Sequence, residues 1–184
     1  MAGLSIIAST RRGKSSSSGQ RVLALLRKAG SVLVALCAAL LISGPSTALA
    51  NDVVEQMLTR SEAPEGVVFE IVEDDKDALE TLLPQVRDAI EKIRARFPQT
   101  QFAVVSHGRE EFALQSQYRD ENAEIHQQVQ SLVADEVPVH VCESHAGWYG
   151  VSAEDFPQYE NVAPTGPGQI RLYEELGYEL ILVH

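Results

Sequence analysis

The chain has 184 residues, 45% hydrophobic and 22% charged, with 15 Lys and Arg against 26 Asp and Glu and two cysteines. That apolar share excludes wholesale disorder, and the length fits one domain or one domain with a processed extension. A formal net charge of −11 argues against a sequence-independent nucleic-acid binder, and two cysteines are too few for a disulfide scaffold or a four-thiolate zinc site.

The charge is unevenly spread. Residues 1–50 contain no Asp or Glu and carry Arg11, Arg12, Lys14, Arg21, Arg27 and Lys28. Fifteen basic residues less those six leaves nine beyond residue 50, against all 26 acidic ones, a balance of −17. Within the first segment the cationic stretch precedes an apolar run over 32–42, a Ser43-Gly44-Pro45 break, and the small residues of Ala48-Leu49-Ala50. This is the order of a secretory signal peptide: basic n-region, short h-region and A-x-A-like cut. Eleven apolar residues make a helix of about 16 Å, short of the roughly 30 Å hydrocarbon core. The expected division is a signal peptide over 1–50, an N-terminal arm or short helix over 51–65, and an α/β domain over 66–184. The protein is expected in the periplasm or outside the cell, touching membrane only through the signal before cleavage. If Cys37 leaves with the signal, Cys142 is the only thiol of the mature chain.

Beyond residue 65 the pattern alternates. Residues 66–72 read as a first strand, and the acidic Glu73-Asp74-Asp75 favours a helix start after it. Leu79, Leu82, Leu83, Val86, Ile90, Ile93 and Phe97 recur at helical spacing, with Pro84 expected to kink or restart that helix and Pro98 to end it. Residues 102–105 form a second strand closed by Ser106-His107-Gly108. A short helix over 110–115 and a longer one over 121–133 follow, then a third strand over 137–142 with Pro138 near its start. A short fourth strand is expected at 161–164. Thr165 caps a helix that stops at Gly177, and residues 178–183 close the pattern as a fifth strand. Strand and helix in alternation predict one layered α/β domain with a largely parallel sheet, its strand order left open.

Ligands gather at the carboxyl ends of strands in such sheets. Two polar clusters fall there, Ser106-His107-Gly108 after strand two and Cys142-Glu143-Ser144-His145 after strand three. If those strands are neighbours, His107 and Cys142 open into one crevice. A thiol beside a helix N-terminus or an imidazolium is a nucleophile or a sulfur acceptor, whereas a lone cysteine otherwise packs as a small apolar side chain. His140 precedes Cys142 by two residues and shares its face on a strand. His107, Cys142 and His145 also have the residue types of a three-ligand metal site, although the block C-x-x-H without a second pair is a weak pattern. Glu143 opposes a thiolate at its neighbour. His126 is expected on a solvated helix face, and Trp148-Tyr149 on an exposed loop. No nucleotide-binding glycine loop, nucleophile elbow or zinc-protease motif occurs, and no cofactor is expected.

Three segments together carry a resemblance. Val104-Val105-Ser106-His107-Gly108 looks like a "VVxHG" segment. The stretch Val137 to Cys142 looks like a "GVxFxxC" strand, and Val162-Ala163-Pro164-Thr165-Gly166 through Leu176-Gly177-Tyr178 looks like "VPAGxxxIxxLQxxGY". In this order they resemble the DsrE/DsrF/TusD-like sulfur-relay family, over about 120 residues, with Pro138 and Tyr173 departing from its usual Gly and Gln. The resemblance implies a flavodoxin-like three-layer domain with a mostly parallel five-stranded sheet. It also implies homo-oligomers, trimers or hexamers, and persulfide transfer through Cys142 with a donor or acceptor protein as partner. His107 or His145 would then stabilise the thiolate. A non-catalytic oligomer that holds a metal or a small thiol compound in the same crevice is the alternative.

Overall fold

A computed structural model describes residues 48–184. The n-region, the 32–42 apolar run and Cys37 lie outside the described residues. Among the described residues no helix is long and apolar enough to cross a membrane.

Five strands, β1 (Gly66–Ile71), β2 (Gln101–Ser106), β3 (Val139–Cys142), β4 (Asn161–Ala163) and β5 (Tyr178–Val183), form one sheet in the order β4-β3-β2-β1-β5, every pair parallel. The layered flavodoxin-like architecture expected from the sequence is present. Its edge strand beside β1 is the last strand of the chain instead of the second. Alternate residues divide between two faces because the strand period is two. Val67, Phe69 and Ile71 of β1, Phe102 and Val104 of β2, Val139 and Val141 of β3, and Ile181 and Val183 of β5 form the larger core. Three helices cover that face: α1 (Ala48–Leu58), α2 (Leu79–Arg96) and α3 (Ala123–Ala134). α1 belongs to the core, with Val54 and Met57 fully buried.

α2 passes through Pro84 without a break. Pro84 is the sixth residue of the helix, beyond the free N–H groups of its first turn, so it forfeits the bond to the Glu80 carbonyl, and the buried Leu79, Leu82, Leu83 and Val86 hold both sides of it. The opposite sheet face is covered by one helix, α5 (Gly166–Glu175), through Ile170 against Val68, Ala103 and Val105. Thr165 caps it by accepting from the Gly168 N–H, and Gly177 ends the turn at φ 86°. Leu172, Leu176, Leu180 and Leu182 stay exposed on this thinly covered side.

His126 departs from expectation. It is buried on α3, its Nδ1 2.5 Å from the Tyr159 hydroxyl, because the segment 156–160 folds over that side of the helix. Burial holds its imidazole below the usual range, with Arg119 acting in the same direction.

The faces explain where the chain opens. The connection after β3 begins with α4 (Glu143–Trp148), whose Ala146 lies in the larger core, whereas β4 leads into α5 on the other face. The carboxyl ends of β3 and β4 therefore send the chain to opposite sides. That is a topological switch point, the usual place for a ligand in an open parallel sheet.

Candidate functional site

Cys142 sits at that split, as the last residue of β3 and the cap of α4. Its Sγ accepts the Gly166 N–H at 3.2 Å and the His145 N–H at 3.4 Å, and lies 3.2 Å from Ser144 Oγ. Two main-chain donors from the starts of two helices thus converge on one sulfur, and such donors favour negative charge there. The residue is 2% exposed. His140 shares its face, as the strand period requires, but turns to the Tyr173 hydroxyl at 2.8 Å. Burial pushes the His140 imidazole down to about 4, so it is neutral at physiological pH.

β2 and β3 are neighbours, so the segment 106–108 does open beside Cys142. His107 reaches the site through Gly166: a Cβ on that glycine would stand 2.5 Å from the His107 Cβ and Cγ. Only a residue without a side chain lets α5 begin so close to His107. The His107 Nε2 is turned to Glu70 Oε1 at 2.7 Å.

The acid that contacts Cys142 is Glu111, through the main-chain N–H. Glu143, the acid adjacent in sequence, is exposed. Glu111 is fully buried and comes from the 3-10 helix Arg109–Leu114 that follows β2. Its Oε2 accepts the Cys142 N–H at 2.7 Å, and its Oε1 shares a proton with His145 Nδ1 at 2.8 Å. Burial pushes its carboxyl up to about 7, with the Cys142 N–H and His145 pulling the other way. Glu110 beside it is also fully buried and accepts from Ser106 Oγ at 2.8 Å, Gly108 N–H at 2.9 Å and Glu73 N–H at 2.7 Å. It ties the loops after β1 and β2 together behind the site. The His145 ring is walled by aromatics: Phe112 stacks on it at 5.5 Å between centroids, with Tyr149 at 5.3 Å and Trp148 at 5.6 Å at steep angles.

Cys142 and His145 are thus in direct contact, and His107 backs the glycine that contacts the sulfur. The three do not converge as metal ligands. The nitrogens of His107 and His145 that make contacts go to carboxylates, and among the described residues no three His, Cys, Asp or Glu are placed to hold an ion. Glu110 and Glu111 had no signal of their own in the sequence, where they only open the short helix expected over 110–115.

A solved structure of a protein of unknown function from Methanobacterium thermoautotrophicum, MTH1491, superposes with a TM-score of 0.52 at 23% identity, covering 64% of this chain and 97% of that one. The two chains share a fold. A second protein of unknown function, BT1422 from Bacteroides thetaiotaomicron, superposes at a TM-score of 0.46 and 11% identity, over 65% of this chain and 95% of its own. No family model matches the chain, and no curated protein matches it. The likeness to MTH1491 therefore speaks for the α/β architecture, and what the site does rests on its own residues.

Proposed function

We propose that the protein is an exported, oligomeric sulfur carrier of the DsrE-like kind, in which Cys142 takes up a sulfane sulfur as a persulfide and hands it on. The observation that carries the reading is the pair of N–H groups, from Gly166 and His145, aimed at Sγ where β3 and β4 part. In the forward step the Cys142 thiolate attacks the terminal sulfur of a donor R–S–SH. The new S–S bond forms as the donor's own S–S bond breaks, R–S⁻ leaves, and Cys142–S–SH remains. No electrons enter or leave overall. The same two N–H groups then face a persulfide instead of a thiolate. His145 serves through its main chain while Glu111 and the aromatics hold its ring. His107 serves by fixing where α5 begins.

Incubation with inorganic polysulfide followed by intact-mass measurement tests this. Wild type is expected to gain sulfur mass, and Cys142→Ser to gain none. His107→Ala leaves a space behind Gly166 and is expected to slow loading several-fold while the denaturant midpoint changes little. Loading that persists in Cys142→Ser would place the chemistry elsewhere.

A non-catalytic binding protein is the second reading, favoured by the 2% exposure of Cys142. It predicts a thiol that binds nothing covalently and a ligand retained through purification.

The oligomer is part of the proposal. Leu172, Leu176, Leu180 and Leu182 lie exposed on the face that α5 alone covers, and exposed apolar area of this kind marks interfaces. A trimeric or hexameric mass is expected by light scattering at micromolar concentration, and a monomeric one would overturn it. Export is the third part: N-terminal sequencing of protein from its native host is expected to begin near Asn51, after Ala48-Leu49-Ala50, and recovery of Met1 or Ala2 would contradict it.

A further inference from the structure

A cavity of about 260 Å³ lies among the loop after β1, the 3-10 helix Arg109–Leu114, the turn before α3 and the segment after α4. Neither Cys142 nor His145 lines it, and the Cys142 sulfur faces the start of α5 on the other side of the sheet. The cavity is therefore a place apart from the sulfur site. Its volume is below the roughly 300–1,000 Å³ of pockets for drug-sized ligands, so an occupant is small.

Three of its walls are aromatic. The rings of Phe112 and Tyr149 meet at 66° with centroids 5.0 Å apart and make a corner. Tyr118 stands in the same lining, and its ring stacks on no other aromatic among the described residues. Two uncompensated charges share that lining. The side chains of Arg109 and Glu121 have neither a hydrogen bond nor an ion pair among the described residues, and so do not pair with each other. Lys76 and Asp77 also line the cavity, but they answer one another at 3.9 Å. A guanidinium and a carboxylate held apart across one small cavity complement a ligand that carries both signs. The aromatic walls select its cation. A primary ammonium would bring three N–H donors against ring faces, and Gln115 Oε1 in the same lining already accepts from Gln117 Nε2 at 2.6 Å. A trimethylammonium has no donor to leave unpaired and meets the negative faces of the rings with its whole surface.

We propose that this cavity binds a small methylated zwitterion, a trimethylammonium carboxylate, with its carboxylate on Arg109 and its methylated cation among Phe112, Tyr118 and Tyr149. Glu121 completes the charge balance on the cation's side. Binding is non-covalent and does not depend on what Cys142 does, so it stands or falls separately from the carrier reading.

Calorimetric titration of the full mature protein tests this, with trimethylglycine as the probe and glycine, tetramethylammonium and acetate as its separated parts. Trimethylglycine is expected to saturate one site, and each of the other three to bind about tenfold more weakly or worse. Arg109→Gln is expected to weaken trimethylglycine about tenfold and to leave tetramethylammonium unchanged, because it removes the partner of the carboxylate alone. Tyr118→Leu is expected to weaken trimethylglycine and tetramethylammonium together and to leave acetate unchanged. Both side chains are exposed, so the variants are expected to fold, and a circular dichroism spectrum checks this. The wild-type ligand series decides without either variant. No saturable binding of trimethylglycine would overturn the proposal. Glycine binding as tightly as trimethylglycine would overturn the assignment of a methylated cation to the aromatic walls. Wild-type affinity for trimethylglycine in Arg109→Gln would overturn the assignment of the carboxylate.

Discussion

Glu160→Gln is expected to stabilise the domain by about 3 kcal/mol at pH 7 and by almost nothing at pH 4. Glu160 precedes β4 and is buried, with neither carboxyl oxygen hydrogen-bonded. Burial pushes its carboxyl up to about 9, with Arg119 opposing the shift. A carboxyl raised in the folded state binds its proton more tightly there than in the unfolded chain. Its contribution is therefore fully present below the unfolded value, near 4.5, and is lost as pH rises through 9. An amide of the same shape has no proton to lose, so the variant's advantage grows with pH over that window. Glu111 acts in the same direction between 4.5 and about 7, and His140 in the opposite one, losing stability as pH falls from 6.5 toward 4. Both cancel in the difference between wild type and variant. Urea unfolding at a series of pH values checks the slope; parallel curves for the two proteins would show that Glu160 is ionised in the fold.

Glu111→Ala is expected to cost about 2–4 kcal/mol, because it strips the acceptor from two donors, the Cys142 N–H and His145 Nδ1. Glu111→Gln separates charge from geometry. Its amide oxygen still accepts the Cys142 N–H, and its amino group faces His145 Nδ1, which accepts once the ring proton moves to Nε2. The glutamine variant is therefore expected to keep most of the wild-type stability while the alanine variant does not. Midpoints with unchanged denaturant slopes check this. A glutamine variant as unstable as the alanine one would mean that the carboxylate charge, and not the acceptor, holds the site together.

The legible parts of the chain are those in which local chemistry and tertiary environment agree. β5 over 178–183 and the helix from Thr165 to Gly177 follow from alternation, a threonine cap and a glycine stop, and each is found as expected. The nearness of His107 to Cys142 followed from two strand ends in a parallel sheet. α4 was not legible as a helix: Glu-Ser-His-Ala-Gly-Trp has no apolar period, and its form comes from the Cys142 cap and the burial of Ala146. Glu111 was hidden for a different reason. Its partner N–H belongs to a residue 31 positions away, and no local pattern marks an acid whose acceptors are filled by a distant strand end. Glu143, the acid adjacent in sequence, is exposed, and the acid that meets Cys142 is Glu111, through the main-chain N–H. His126 failed likewise, since the segment that buries it lies about thirty residues further on.

Whether Cys142 accepts sulfur in the folded protein is decided by peptide mass spectrometry with a native and a denatured arm. One portion of mature protein is treated with polysulfide while folded, freed of excess reagent, blocked with iodoacetamide and digested. The other is treated in urea. A Cys142 peptide carrying an extra sulfur is expected in the native arm, formed at a rate at least comparable to the denatured one. An unmodified Cys142 in the native arm beside a modified one in urea would contradict it and leave the residue a packed side chain of the core.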